Sequence, residues 1–166
     1  MPEIKNSLRN WIWIPLLVIA CDQATKLLAE SLLEYRQPLS LMPMFNLTLV
    51  YNPGAAFSFL SDAGGWQRWF FMLLSSGVSV VLIIWLQKLN TSQKLQTISI
   101  ALILGGAIGN LIDRSIYGHV IDFIDVYYAT HHWPAFNIAD SAISIGAVLL
   151  IYDSFRHRHD GTKPCK

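Results

Sequence analysis

The sequence predicts an all-α integral membrane protein, with four transmembrane helices and a small outward-facing β-layer between spans one and two. Three observations carry this. First, 53% of the 166 residues are hydrophobic and only 14% are charged, against roughly 25% charged in soluble domains. Second, four stretches, about 11–29, 68–86, 95–113 and 137–155, match the roughly 20 apolar residues that a helix needs to cross about 30 Å of hydrocarbon. Third, most basic residues fall in alternate loops, and the other two loops hold only Arg36 and Arg114 before the boundary residue Arg68. Residues 1–166 then form a single membrane domain, with no linker and no repeat.

Span one follows Lys5 and Arg9; Lys88 and Lys94 separate spans two and three; Arg156, Arg158, Lys163 and Lys166 follow span four. The positive-inside rule makes these regions, and therefore both termini, cytoplasmic. The loops at about 30–67 and 114–136 then face outward. Trp11, Trp13 and Trp85 fall at inner boundaries and Trp66, Trp69 and Trp133 at outer ones, as aromatic belts require. Within the first outward loop, LSLMPMFNLTLVYNPGAAFSF alternates polar and apolar residues and carries a turn signal at Asn52, Pro53 and Gly54. That pattern predicts the β-layer, the alternative being an irregular loop lying in the headgroups.

A net charge of +1 supplies no basic field, which excludes nucleic acid as a partner. Two cysteines, Cys21 and Cys165, build neither a disulfide framework nor a Cys-x-x-Cys metal site. Lys5, Arg9, an apolar run and then Val18-Ile19-Ala20-Cys21 read like a secretory signal ending in a lipoprotein cleavage site. However, Asp22 and Lys26 follow in a segment that keeps its helical pattern through Leu28, and three spans lie downstream. The favoured reading of Cys21 is a buried structural cysteine.

Charges inside spans are costly, about 2.5 to 3.5 kcal/mol each at a helix centre, and usually functional. Here they cluster toward one side. Asp22 and Lys26 stand four apart on one face of span one and neutralise each other. Asn110 and Arg114 share a face of span three, where Gly105, Gly106 and Gly109 admit a neighbouring helix. Asn137 and Asp140 share a face at the outer end of span four. Asp122 lies in GHVIDFID, which joins the outer ends of spans three and four, so it can fold back beside Asp140. Two carboxyl groups in contact hold one proton between them and titrate as a unit. Such a pair activates water with one member and protonates a leaving amine with the other. The alternative from spacing is structural: one aspartate caps span four or pairs with Arg114. Weaker arrangements are a metal at His131 and His132, which lack ligand spacing, and a Ser58/Lys26 dyad, which lacks a nucleophile elbow.

DQATK at Asp22–Lys26, YNPGAAFSFL from Tyr51, GGAIGNLIDR from Gly105, GHVIDFID from Gly118 and FNIADSAISIG from Phe136 together resemble the bacterial lipoprotein signal peptidases, also called signal peptidase II. The match runs along nearly the whole chain. The resemblance implies an intramembrane aspartic endopeptidase with Asp122 and Asp140 as its catalytic pair. It further implies support or substrate-binding roles for Asp22, Lys26, Asn52, Gly54, Asn110, Arg114 and Asn137, with Arg114 and Asn137 acting on the carbonyl oxygen or the substrate backbone. The implied substrate is a prolipoprotein carrying diacylglycerol on its cysteine, cleaved before that cysteine at the outer side of the cytoplasmic (inner) membrane. Membrane lipid is the other partner; no metal or organic cofactor is implied, and a monomer is expected. Two readings from other classes compete. A transporter or channel would spread its charges through the bilayer depth, and a packing scaffold would leave Asp122 and Asp140 unexplained.

Overall fold

The computed structural model describes residues 10–54, 65–90 and 92–160, with side chains through Arg156. The four apolar stretches form helices α1 (Trp13–Leu32), α2 (Trp66–Lys88), α3 (Lys94–Ile116) and α4 (Ile138–Asp160). Strands β1 (Leu39–Met42) and β2 (Phe45–Asn52) lie between α1 and α2, and β3 (Val120–Tyr128) and β4 (His131–His132) between α3 and α4.

Among the described residues, α2, α3 and the Ile138–Arg156 part of α4 are long and apolar enough to cross a membrane. Helix α1 has the length, at 20 residues, but carries Asp22, Lys26 and Glu30. Its charged content keeps it out of that set. Leu73, Val80 and Val81 of α2 and Val148 and Ile151 of α4 point outward, as lipid-facing side chains do.

Helix α3 is the centre of the bundle, and glycine is the reason. A methyl group on Gly105 would sit 2.7 Å from Val18 Cβ of α1, and one on Gly106 would strike the Ala139 carbonyl oxygen at the start of α4. Gly146 of α4 lies against Ser99 and Ile103 of α3 in the same way. Backbones this close exclude any side chain. Leu82, Leu86, Ile100 and Leu104 fill the α2–α3 side.

The strands form one antiparallel sheet in the order β1-β2-β3-β4. The expected β-layer between spans one and two is present as β1 and β2, but it is only half of the sheet, because β3 and β4 come from the loop between α3 and α4. A two-stranded hairpin is marginal alone, and VIDFIDVYY supplies the β-branched and aromatic partner strand that β2 needs. The register sets Val50 opposite Asp122 and Asn52 opposite Val120. Leu49, Ile121 and Phe123 pack with Ala29 of α1, which ties sheet to bundle.

Cys21 also departs from expectation. It is exposed, not buried, because Asp22 and Lys26 occupy the inward face of α1 and the neighbouring position points away from the bundle.

Candidate active site

The site grows from the inward face of α1. Lys26 is 1% and Asp22 0% exposed, and a buried charge persists only when paired. Lys26 Nζ lies 2.7 Å from Asp22 Oδ2 and 2.8 Å from Asp113 Oδ2, and donates to Asn110 Oδ1 at 3.0 Å. Those contacts use all three ammonium donors. A Ser/Lys dyad is thereby left without a free amine, and its other member, Ser58, lies outside the described residues. Asp113 is the partner that spacing did not single out. Its position three residues after Asn110, on the same helix face, was the available signal. Gln23 adds a further bond, Nε2–H to Asp113 Oδ1 at 2.8 Å.

Asn137 caps α4, with its Oδ1 accepting the Asp140 N–H at 2.9 Å. Asp22 Oδ1 accepts the neighbouring Ala139 N–H at 2.9 Å. Gly109 permits this, since a methyl group there would meet Asp22 Oδ2 at 2.7 Å. Asp140 is therefore not the cap, and among the described residues neither Asp122 nor Asp140 forms an ion pair with Arg114.

The two carboxyl groups converge through asparagine. Asn137 Nδ2–H donates to Asp122 Oδ1 at 2.8 Å, while its oxygen holds the backbone of Asp140. Asn52 Nδ2–H donates to Asp122 Oδ2 at 3.0 Å, its own oxygen being turned toward the Gly54 N–H. Asn110 Nδ2–H donates to Asp140 Oδ1 at 2.8 Å. Because Lys26 only donates, it must bond the Asn110 oxygen, and this leaves the amide N–H for Asp140. Burial and, next, the charge of Asp140 push the Asp122 carboxyl up to about 7, against the opposing pull of Asn52, Lys26 and Asn137. Asp122 thus keeps its proton to a higher pH than an ordinary aspartate, beside a second carboxyl group.

Arg114 donates Nη2–H to the Gly54 carbonyl at 2.8 Å and lies over the Phe71 ring, 5.3 Å from its centroid. Its Nε–H is buried with no partner among the described residues. A cleft of about 470 Å³ opens beside these groups, lined by Asn52, Asp140, Ser141, Ser144, Ile145 and the chain from Trp133 to Phe136. No group of three or more His, Cys, Asp or Glu among the described residues is arranged to hold a metal ion. His132 instead bonds Asp125 at 2.8 Å, an aspartate that sequence reading passed over although it repeats the I-D of Asp122 within VIDFID.

A family model described as signal peptidase (SPase) II matches residues 14–156. A lipoprotein signal peptidase of Burkholderia mallei (strain SAVP1) is 56% identical over 151 residues, 91% of this chain and 90% of that protein. One from Teredinibacter turnerae is 54% identical over 157 residues, 95% and 91% of the two chains. A solved structure described as a bacterial membrane enzyme superposes with a TM-score of 0.84 at 30% identity, covering 96% of each chain. A second, described in the same words, gives 0.77 at 31% identity over 92% of this chain and 96% of that one. The chain therefore belongs to the signal peptidase II family, a family of membrane proteases.

Proposed function

We propose that this chain is an aspartic endopeptidase that removes the signal peptide from diacylglyceryl-modified prolipoproteins, cleaving before the lipidated cysteine. The observation that carries the reading is Asn137, bonded at once to the Asp122 carboxyl and to the Asp140 backbone. It supports a pair of aspartates held together at the end of a cleft. In this reading the charged member takes a proton from water as the water oxygen attacks the scissile carbonyl. The other member gives its proton to the amine as the C–N bond breaks. Arg114, with an unused buried N–H, and Asn137 stabilise charge on the carbonyl oxygen or hold the substrate backbone. Asn52 and Gly54 orient Asp122, while Asp22, Lys26 and Asn110 support Asp140.

The reading includes four spans, with α1 as the first. Its charge is lowered by the 2.7 Å Asp22–Lys26 pair, so crossing costs less than three isolated charges would. Residues 1–166 act as one membrane domain and one monomer in the bacterial cytoplasmic membrane. Both termini are cytoplasmic, and the site lies toward the outer side, next to the lipid anchor of the substrate.

Single-turnover cleavage of a diacylated prolipoprotein by detergent-purified variants tests the chemistry. Asp122→Asn and Asp140→Asn each keep the carboxyl shape but lose proton transfer, worth about 10² to 10⁴ in rate. Each should abolish turnover while leaving the protein folded and substrate-bound, and the double variant should be little worse than either single one. Near-normal cleavage by either folded variant would rule the pair out.

A further inference from the structure

One wall of the cleft is a strap of four residues, Trp133-Pro134-Ala135-Phe136, hung between β4 and α4. Its far end is tied by backbone bonds. The Phe136 N–H donates to the Ile124 carbonyl at 3.0 Å, and the Phe136 carbonyl accepts the Phe123 and Ile124 N–H groups at 3.1 and 2.8 Å. The near end rests on β4, which is only two residues long and exposed. There the Trp133 N–H donates to the Val126 carbonyl at 2.7 Å, and Pro134 has no N–H to contribute.

A side chain strengthens that end. His132 Nδ1–H donates to Asp125 Oδ1 at 2.8 Å, and its ring stacks on Tyr127 with centroids 5.1 Å apart. Asp125, 6% exposed, is itself fastened to β2: Thr48 Oγ1–H and Asn46 Nδ2–H donate to its Oδ2 at 3.0 and 3.3 Å. Burial works against the charge on Asp125, yet the bonds from His132, Asn46 and Thr48 hold its carboxyl below the usual carboxylate range. None of the groups proposed for the chemistry takes part. A buried carboxylate with no role in the reaction is therefore spent on anchoring the half-exposed histidine that immediately precedes the strap.

We propose that Asp125 and His132 are positioning residues for substrate binding, a clamp that holds the Trp133–Phe136 strap as the cleft wall against which the apolar part of the substrate lies. The proposal rests on the peptidase reading. The clamp acts on capture of the substrate and leaves the proton transfers at Asp122 and Asp140 untouched.

The test uses the full chain in detergent–lipid micelles with a diacylated prolipoprotein. His132→Ala should raise KM about tenfold and leave kcat within about twofold. His132→Asn should restore KM, because an amide Nδ2–H stands where the imidazole Nδ1–H stood. Asp125→Ala should match His132→Ala, and the double variant should be no worse than either, as expected of two residues in one interaction. If Asp125→Ala fails to fold, the half-exposed His132 decides alone. Amide hydrogen exchange gives a readout independent of turnover: Trp133 and Phe136 should exchange faster in His132→Ala and recover in His132→Asn. An unchanged KM in folded His132→Ala, or a loss confined to kcat, overturns the clamp. Should the native chain not cleave the substrate at all, the peptidase reading fails instead, and unaltered exchange at Trp133 would then overturn the clamp by itself.

Discussion

Lys26 of α1 and Asp113 of α3 meet at 2.8 Å, Nζ to Oδ2, with neither side chain more than 2% exposed. The same ammonium group bonds Asp22 and Asn110, so one cation holds two anions and orients an amide of the site. Removing one member of a buried pair costs about 3 to 5 kcal/mol, and Lys26→Ala would strand two carboxylates. The expected outcome is a lower unfolding midpoint in detergent and a smaller folded yield, with activity lost in proportion. A fully folded Lys26→Ala protein without activity would instead place Lys26 in the chemistry.

In the proposed mechanism Asp122 sets the alkaline limit. Its carboxyl is pushed up to about 7 by burial and by Asp140, so the pair keeps its proton below that pH and loses it above. kcat/KM should therefore fall about tenfold per unit once pH exceeds about 7. Stability carries the same sign. A folded-state pKa above the unfolded one gives stability that is full below the unfolded carboxylate range and is lost as pH rises through about 7. The unfolding midpoint of the native chain relative to Asp122→Asn should thus drop between about pH 4 and pH 7, from the ordinary carboxylate range to the raised value. A pH-independent difference would contradict the raised value.

Gly106 is the tightest contact between α3 and the end of α4 that carries Asp140. A methyl group there meets the Ala139 carbonyl oxygen and Ile143 Cγ1, the latter at 2.7 Å. Overpacking typically costs about 1 to 3 kcal/mol, and the displacement falls on Asp140. Gly106→Ala should lose at least tenfold in kcat, whereas Gly77→Ala, with nothing within 4 Å, should be as active as the native chain. Equal activity of the two in a turnover assay would show that α4 has room to move.

Cys21 faces away from the bundle, so a protein with Cys21→Ser and Cys165→Ser should stay full-length and active by mass spectrometry and cleavage assay. A diacylglyceryl group on Cys21 of the native chain, or a mature form starting there, would reverse that reading. In the cysteine-free background, Thr130→Cys should react with an impermeant maleimide added outside spheroplasts, and Ser92→Cys only after lysis. The opposite pattern would invert the proposed topology.

Much of this protein is written locally. Runs of apolar residues broken by Lys88 and Lys94 dictate the helices, because a backbone in hydrocarbon must satisfy its own hydrogen bonds. The i,i+4 spacing of Asp22 and Lys26 was enough to pair them, as the 2.7 Å contact bears out. Asn137 and Asp140, three apart, were likewise legible as neighbours at the start of α4.

What spacing alone left open was decided by contacts between distant segments. Asp122 had equally good local reasons to pair with Arg114, and only the antiparallel register of β2 and β3 brings Asn52 to it while α4 brings Asn137. Cys21 sits in an apolar run that reads the same whether it faces protein or lipid, and the rotation of α1 about its buried ion pair settled its exposure. The second pair of strands, the Asp113 partner of Lys26 and the Asp125–His132 bond share one cause. Hydropathy and periodicity describe what each segment seeks to bury, whereas buried charges and unpaired strand edges are satisfied by whichever partner the packed bundle brings within 3 Å or so.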